Sequence, residues 1–140
     1  MASFLFNIAK TNIPKADMDL ETADIRALLV DSVYTPDADH VNVDDGAAAN
    51  ELSGTGYERK TLASKAVAQD DANDRAAFDA ADLTWTGLDA GTAAAVVLFQ
   101  HVTNDADSIL LAYIDSGFPF VSNGGDFVIQ WNANGIILLT

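Results

Sequence analysis

Cysteine is absent from this 140-residue chain and cations are scarce, with 7 Lys+Arg against 21 Asp+Glu and a formal net charge of −14. Lack of cysteine excludes disulfides, thiolate chemistry and Cys-type zinc sites, and it fits synthesis in a reducing compartment such as a cytoplasm. The charge deficit excludes nucleic acid as a partner, because binding by phosphate neutralisation needs clustered Lys and Arg. Anionic membranes are disfavoured by the same repulsion. No window approaches the roughly 20 apolar residues of a bilayer span. The opening Met1-Ala2-Ser3-Phe4-Leu5-Phe6 has neither the basic n-region nor the long h-region of a signal peptide. The expectation is a soluble protein made without export.

What is present suffices for a core. A hydrophobic fraction of 49% is too high for a disordered acidic chain. A chain of about 150 residues buries roughly 68–70% of its unfolded surface, so one domain is expected. No fixed-period repeat and no low-complexity linker interrupts it.

Hydrophobic periodicity is that of short strands separated by turn residues. Ile25-Arg26-Ala27-Leu28-Leu29-Val30 reads as a strand of about six residues, with an amphipathic helix over residues 17–30 as the alternative. Pro36 then ends the element. From residue 37 to 56 the pattern is lost in Asp-rich and Ala-rich pieces, which predicts a long irregular, partly helical excursion outside the sheet. Alternation returns over residues 57–62 and 65–69. Asp70-Asp71-Ala72-Asn73-Asp74 marks a polar turn, Arg75-Ala76-Ala77-Phe78-Asp79 resumes, and Leu83-Thr84-Trp85 places Leu83 and Trp85 on one face. Gly87 and Asp89-Ala90-Gly91 predict the close of a hairpin there. Ala93-Ala94-Ala95-Val96-Val97-Leu98-Phe99 contains no polar residue, as a strand buried on both faces would. Further strands are expected at residues 109–114, 126–131 and 136–140, the last two joined by Asn134-Gly135, a strong hairpin signal. These elements predict an all-β fold, a β-sandwich or jelly-roll-like barrel of short antiparallel strands. Residues 1–18 are expected as an N-terminal strand or as an arm added to a neighbour's sheet edge, and residues 19–140 as a single β domain.

Catalytic signatures are weak. His40 and His101 lie far apart in sequence, and no serine sits in a Gly-x-Ser-x-Gly elbow. Reading Asp71 as the first ligand of a calcium loop puts Arg75 at the fifth position and Ala76 where glycine is required. Gly54-Thr55-Gly56 lacks the strand, helix and further glycines of a phosphate cradle. Trp85 and Trp131 fall at alternating positions that suit core packing. No catalytic residue, metal ligand or cofactor site is expected.

One ordered series of motifs is more specific than any of its pieces. It comprises Asp19-Leu20-Glu21-Thr22-Ala23-Asp24-Ile25, Tyr34-Thr35-Pro36-Asp37, Glu51-Leu52-Ser53-Gly54-Thr55-Gly56-Tyr57, Asn73-Asp74-Arg75-Ala76 and Leu83-Thr84-Trp85. It ends with Gly124-Gly125-Asp126-Phe127-Val128-Ile129-Gln130-Trp131-Asn132 and Gly135-Ile136. From about Asp19 onward the chain resembles a family of small structural proteins of tailed bacteriophages. The resemblance implies a virion part rather than an enzyme, and it transfers no functional residue. The expected role is a capsid cement or decoration protein, made in the host cytoplasm and bound to the outer surface of the head. Its partners would be the major capsid protein and copies of itself, as a dimer or trimer. A tail, neck or fibre-attachment component is the nearer alternative, and a carbohydrate-binding or hydrolysing host-surface module the more distant one. The expected contact residues are Tyr34, His40, Val41 and Val43 in the irregular stretch, with Phe4 and Phe6 at the N-terminus, as apolar groups flanked by polar ones. The competing expectation for all six is ordinary core or loop anchoring.

Overall fold

The alternation and apolar runs form twelve strands, one helix and three short 3-10 turns in the computed structural model, which describes residues 3–140. The principal sheet is antiparallel and five-stranded, in the order β1 (Phe4–Leu5), β9 (Ile109–Ile114), β8 (Ala95–Gln100), β2 (Ile25–Val30) and β3 (Lys60–Thr61). Three smaller antiparallel sheets accompany it. These pair β6 (Leu83–Trp85) with β11 (Phe127–Ile129), β7 (Thr92–Ala93) with β10 (Phe120–Val121), and β12 (Ile137–Leu139) with β5 (Arg75–Asp79) and β4 (Ala66–Asp70). The fold is all-β, as expected, and the sheets remain open rather than closing into a barrel.

The principal sheet is apolar on both faces, which explains the continuous apolar run of β8. On one face Ile25, Ala27, Leu29, Val96 and Leu98 meet Phe78, Leu83, Trp85, Phe127, Ile129 and Ile137 from the smaller sheets. On the other, Leu28, Val30, Val97 and Phe99 meet Phe6, Tyr34, Val43 and Ala47. A β-bulge serves both layers: Leu98 pairs with Ala112 and Phe99 with Leu110, so Leu111 is the extra residue. Leu111 and Ala112 consequently both join the first core, while Leu110 and Tyr113 join the second.

Several expectations need correction. The excursion is outside the sheet, as predicted, but it supplies Val43 and Ala47 to the core on the sheet's second face, beside Tyr34 from the segment that precedes it. The N-terminal segment pairs within this chain, as the strand alternative has it. Its described residues form β1, antiparallel to β9, and the helix α1 (Asn7–Asn12), with Phe6 and Ala9 fully buried; Met1 and Ala2, part of the same expectation, lie outside the described residues. Met18 and Leu20, on either side of the expected boundary after residue 18, both pack in the first core.

Neither glycine-marked hairpin forms. β6 pairs with β11 instead of the following strand because the two turns beyond these strands bond to each other: Gly87 N–H donates to Asp126 Oδ1 at 3.0 Å, Leu88 N–H to Gly125 O at 2.9 Å and Gly124 N–H to Leu88 O at 2.8 Å. After β11, Gly135 at φ +116° turns the chain toward β5, where Ile136 N–H reaches Phe78 O at 2.7 Å. A Cβ at Gly135 would sit 3.1 Å from that carbonyl oxygen, which is why glycine is needed at this close approach. The polar Asp cluster behaves as expected, as a turn between β4 and β5: Asp71–Asn73 form a 3-10 turn and Asp74 is left-handed at φ 52°.

Candidate functional site

The six expected contact residues are placed on one side of the principal sheet, but mostly as packing. Phe6 and Val43 are completely buried and Tyr34 nearly so, which removes all three from any exposed patch. They are drawn into the second core because, among the described residues, the sheet's second face is covered by residues 34–48 and by the N-terminal Phe4, Phe6 and Ile8. Phe4 is half-buried at the β1 edge and stacks on Tyr113 with ring centroids 5.5 Å apart. His40 is half-buried beside Tyr34, its Nδ1 at 3.3 Å from the tyrosine Oη. Val41 alone is exposed, at 38%. Its backbone is already occupied, since its N–H donates to Asp45 Oδ2 at 2.8 Å and its carbonyl accepts from Leu110 N–H at 2.9 Å. These N–H donors of Val41 and Asn42 hold the Asp45 carboxyl below the ordinary carboxylate range.

The most elaborate polar arrangement joins three segments distant in sequence. Arg59 forms a fork on Glu51, with Nε donating to Oε2 at 2.8 Å and Nη2 to Oε1 at 2.8 Å, while Nη1 donates to Asp105 Oδ1 at 2.6 Å. Tyr57 Oη donates to Glu51 Oε2 at 2.6 Å and accepts from Leu29 N–H at 3.1 Å, tying the cluster to β2. The guanidinium also lies 5.3 Å from the centre of the Phe99 ring. Hydrogen bonds from Arg59 depress the Asp105 pKa, and those to Glu51 and Asp105 raise that of Arg59. The carboxylates of this knot and the Tyr57 hydroxyl are bonded to its other members or to β2, so it fastens loops distant in sequence.

Three further cations are paired close in sequence: Arg26 with Asp24, Lys60 with Glu58 and Arg75 with Asp70. After Arg75 the chain contains no lysine or arginine at all. Nucleophile chemistry is likewise unassembled. Among the described residues neither histidine is hydrogen-bonded to a serine; His101 has its Nδ1 buried without a partner, and the buried Ser108 donates to Asn104 O at 2.7 Å. No group of three His, Asp or Glu side chains among the described residues is positioned to hold a metal. Comparison with family models, curated proteins and solved structures finds no match for this chain.

All three tyrosines are shifted upward. Burial pushes Tyr34 up to about 12, burial and the Glu51 carboxylate raise Tyr57, and burial raises Tyr113. A folded-state pKa above the unfolded value of about 10 gives stability that is present below pH ~10 and lost as pH rises through the folded values. For Tyr34 alone the loss amounts to about 2–3 kcal/mol. An absorbance titration is therefore expected to show the Tyr34 and Tyr57 phenolates only well above pH 10, together with loss of the β-sheet circular dichroism signal. Reversible ionisation of two or more of the three tyrosines near pH 10 in the folded protein would contradict this placement.

Two concave surfaces lie outside these networks. One is a shallow basin of about 400 Å³ bordered by Tyr34, Pro36, Ala94, Tyr113, Phe118 and Pro119, with Ser32 and Asp115 as its polar members. Beside it along the chain are Val33 and Val121, exposed at 72% and 67%. The other is a cleft of about 310 Å³ between the end of β9, the 130–135 turn and β12. Sequence reasoning found Tyr34 but missed the rest of the basin. The available signals were Val33, apolar just outside a strand between Ser32 and Tyr34, and Phe118-Pro119-Phe120-Val121, an apolar run without alternation.

Proposed function

We propose that this protein is a non-enzymatic structural component of a tailed-phage virion, a cement or decoration subunit bound to the outer surface of the head. The observation that carries this reading is the open, mainly apolar basin bordered by residues 32–36, Ala94 and 113–119, on a chain whose Arg59 network is spent largely on internal contacts. Such a basin, with the exposed Val33 and Val121 near it in the chain, suits burial against another protein. The ordered motif series agrees with a particle part. The occupant is the major capsid protein at junctions present only in the assembled shell, so that docking stabilises that state by mass action. Copies of the chain would assemble as a dimer or trimer on a matching symmetry axis. The net charge of −14 keeps closely spaced subunits dispersed and directs the docking face toward less acidic or basic protein.

The test is binding of the purified protein to expanded shells lacking it, followed by counting copies per particle. Many copies spread over the head are expected, and a few copies at the neck or tail would replace the head assignment. Val33→Asp combined with Val121→Asp is expected to weaken shell binding at least tenfold while leaving the thermal transition in place, since both side chains are largely exposed. Undiminished binding by that folded variant would remove the basin from the interface.

A further inference from the structure

We infer that the cleft between β9, β11 and β12 is a binding site for a single neutral sugar ring, independent of the particle role proposed above. Its lining includes the aromatic residues Phe118 and Trp131 together with Gln130, Asn132, Asn134 and Ser116. None of the described residues that line it is charged, in a chain of which 20% is charged. At about 310 Å³ it stands at the small end of the roughly 300–1,000 Å³ range of ligand pockets, room for one ring rather than a chain.

The chemistry of the lining selects the ligand. A carboxamide offers two N–H donors and one acceptor oxygen, and a hydroxyl both donates and accepts, so a rim of amides and a serine complements a ring bearing several hydroxyls. The Gln130 and Asn134 side chains are exposed and make no hydrogen bond within the described chain, and Asn132 uses only its Oδ1, which accepts from Asn134 N–H at 2.9 Å. Four residues with polar side chains thus line the cleft with capacity to spare beside aromatic and aliphatic residues, which suits the C–H face of a pyranose. Among the described lining residues a phosphate or carboxylate finds no cation, and an ammonium no carboxylate.

The two tryptophans distinguish the site from the core. Trp85 is fully buried and donates to Glu58 O at 2.7 Å, whereas Trp131 is half-buried at the cleft and donates to Ala81 O at 3.1 Å. The indole edge of Trp131 is held by that bond.

The test is a titration of the full chain with D-glucose, D-galactose, D-mannose and N-acetylglucosamine in turn, followed by nitrogen-15 NMR. At least one sugar is expected to bind in the millimolar range, shifting the Trp131 indole and the side-chain amides of Gln130, Asn132 and Asn134 while the Trp85 indole stays in place. Gln130→Ala with Asn134→Ala, whose side chains support no internal bond, is expected to reduce that affinity at least tenfold with an unchanged thermal transition. The inference is overturned if none of the four sugars shifts these signals, or if the double variant binds as well as the parent. It is equally overturned if adenosine or an uncharged apolar peptide occupies the cleft while the sugars do not. None of these outcomes involves the shell, so failure here leaves the docking test standing.

Discussion

Phe6→Ala is expected to lower the unfolding free energy by about 3–5 kcal/mol, the cost of deleting a buried phenylalanine from a core that cannot fully collapse. Its ring is completely buried in the second core and meets Phe4 edge-on, with centroids 5.1 Å apart. Its backbone is also committed: the N–H donates to Leu111 O at 3.1 Å, and the carbonyl accepts from Lys10 N–H at 3.1 Å, the first bond of α1. For a domain with the usual 5–15 kcal/mol of stability, a loss of this size moves the urea midpoint far toward water. Removal of residues 1–14 goes further, because β1, Phe6 and Ala9 leave together and expose the β9 edge and part of both cores. That truncated chain is expected to lose cooperative unfolding altogether. A Phe6→Ala loss below about 1 kcal/mol would mean that the segment hangs from the body as an exchangeable arm.

Arg59→Met is expected to cost about 2–3 kcal/mol at neutral pH. Removing one partner of a buried ion pair costs about 3–5 kcal/mol because the remaining charge is left uncompensated. Here the side chains of Arg59, Glu51 and Asp105 retain 25%, 16% and 35% of their exposure, and solvent screening reduces the figure. Methionine keeps most of the aliphatic stem, so the measured loss reports the charge, its hydrogen bonds and the guanidinium's contact with the Phe99 ring. The pH dependence has a definite sign. The Asp105 pKa is depressed by Arg59, so its contribution is fully present above the unfolded carboxylate value of about 3.9 and is lost as pH falls through the lower folded value. The stability gap between parent and variant, measured by urea unfolding, is therefore expected to narrow as pH is lowered below about 4. An equal gap at pH 7 and pH 3 would assign the loss to packing instead.

The local elements were legible in the residues, and the partners of the strands were not. Ile25–Val30 and Arg75–Asp79 follow from apolar and β-branched content between turn residues, and the doubly buried β8 follows from the absence of any polar residue before Gln100. Strand pairing is a tertiary choice. Gly87 and Gly135 correctly mark turns, yet the chain beyond each leads to another sheet, because Asp126, Gly125 and Phe78 offer the hydrogen-bond partners there. The same limit governed the contact residues. Tyr34 and Val43 stand among aspartates, where an apolar side chain reads as exposed, and only the uncovered second face of the principal sheet explains why they are buried. The cleft was least legible. Trp131 continues the alternation of β11, and what separates it from Trp85 is the turn at residues 132–135, which leaves its ring at the surface beside three amides.

The absence of lysine and arginine beyond Arg75 has a consequence for the lifetime of the molecule outside a cell. Trypsin-like proteases cleave after these two residues, so the stretch from Ala76 to Thr140 offers them no bond, whether folded or fully unfolded. Susceptible bonds lie only in the first 75 residues, and there Arg59 is clamped between two carboxylates while Arg26 and Lys60 lie in the principal sheet. Arg75 lies in β5 and is paired with Asp70, so nicking of the folded chain is confined to the neighbourhoods of Lys10, Lys15 and Lys65. The half of the chain that carries the cleft survives such attack as one uncut piece.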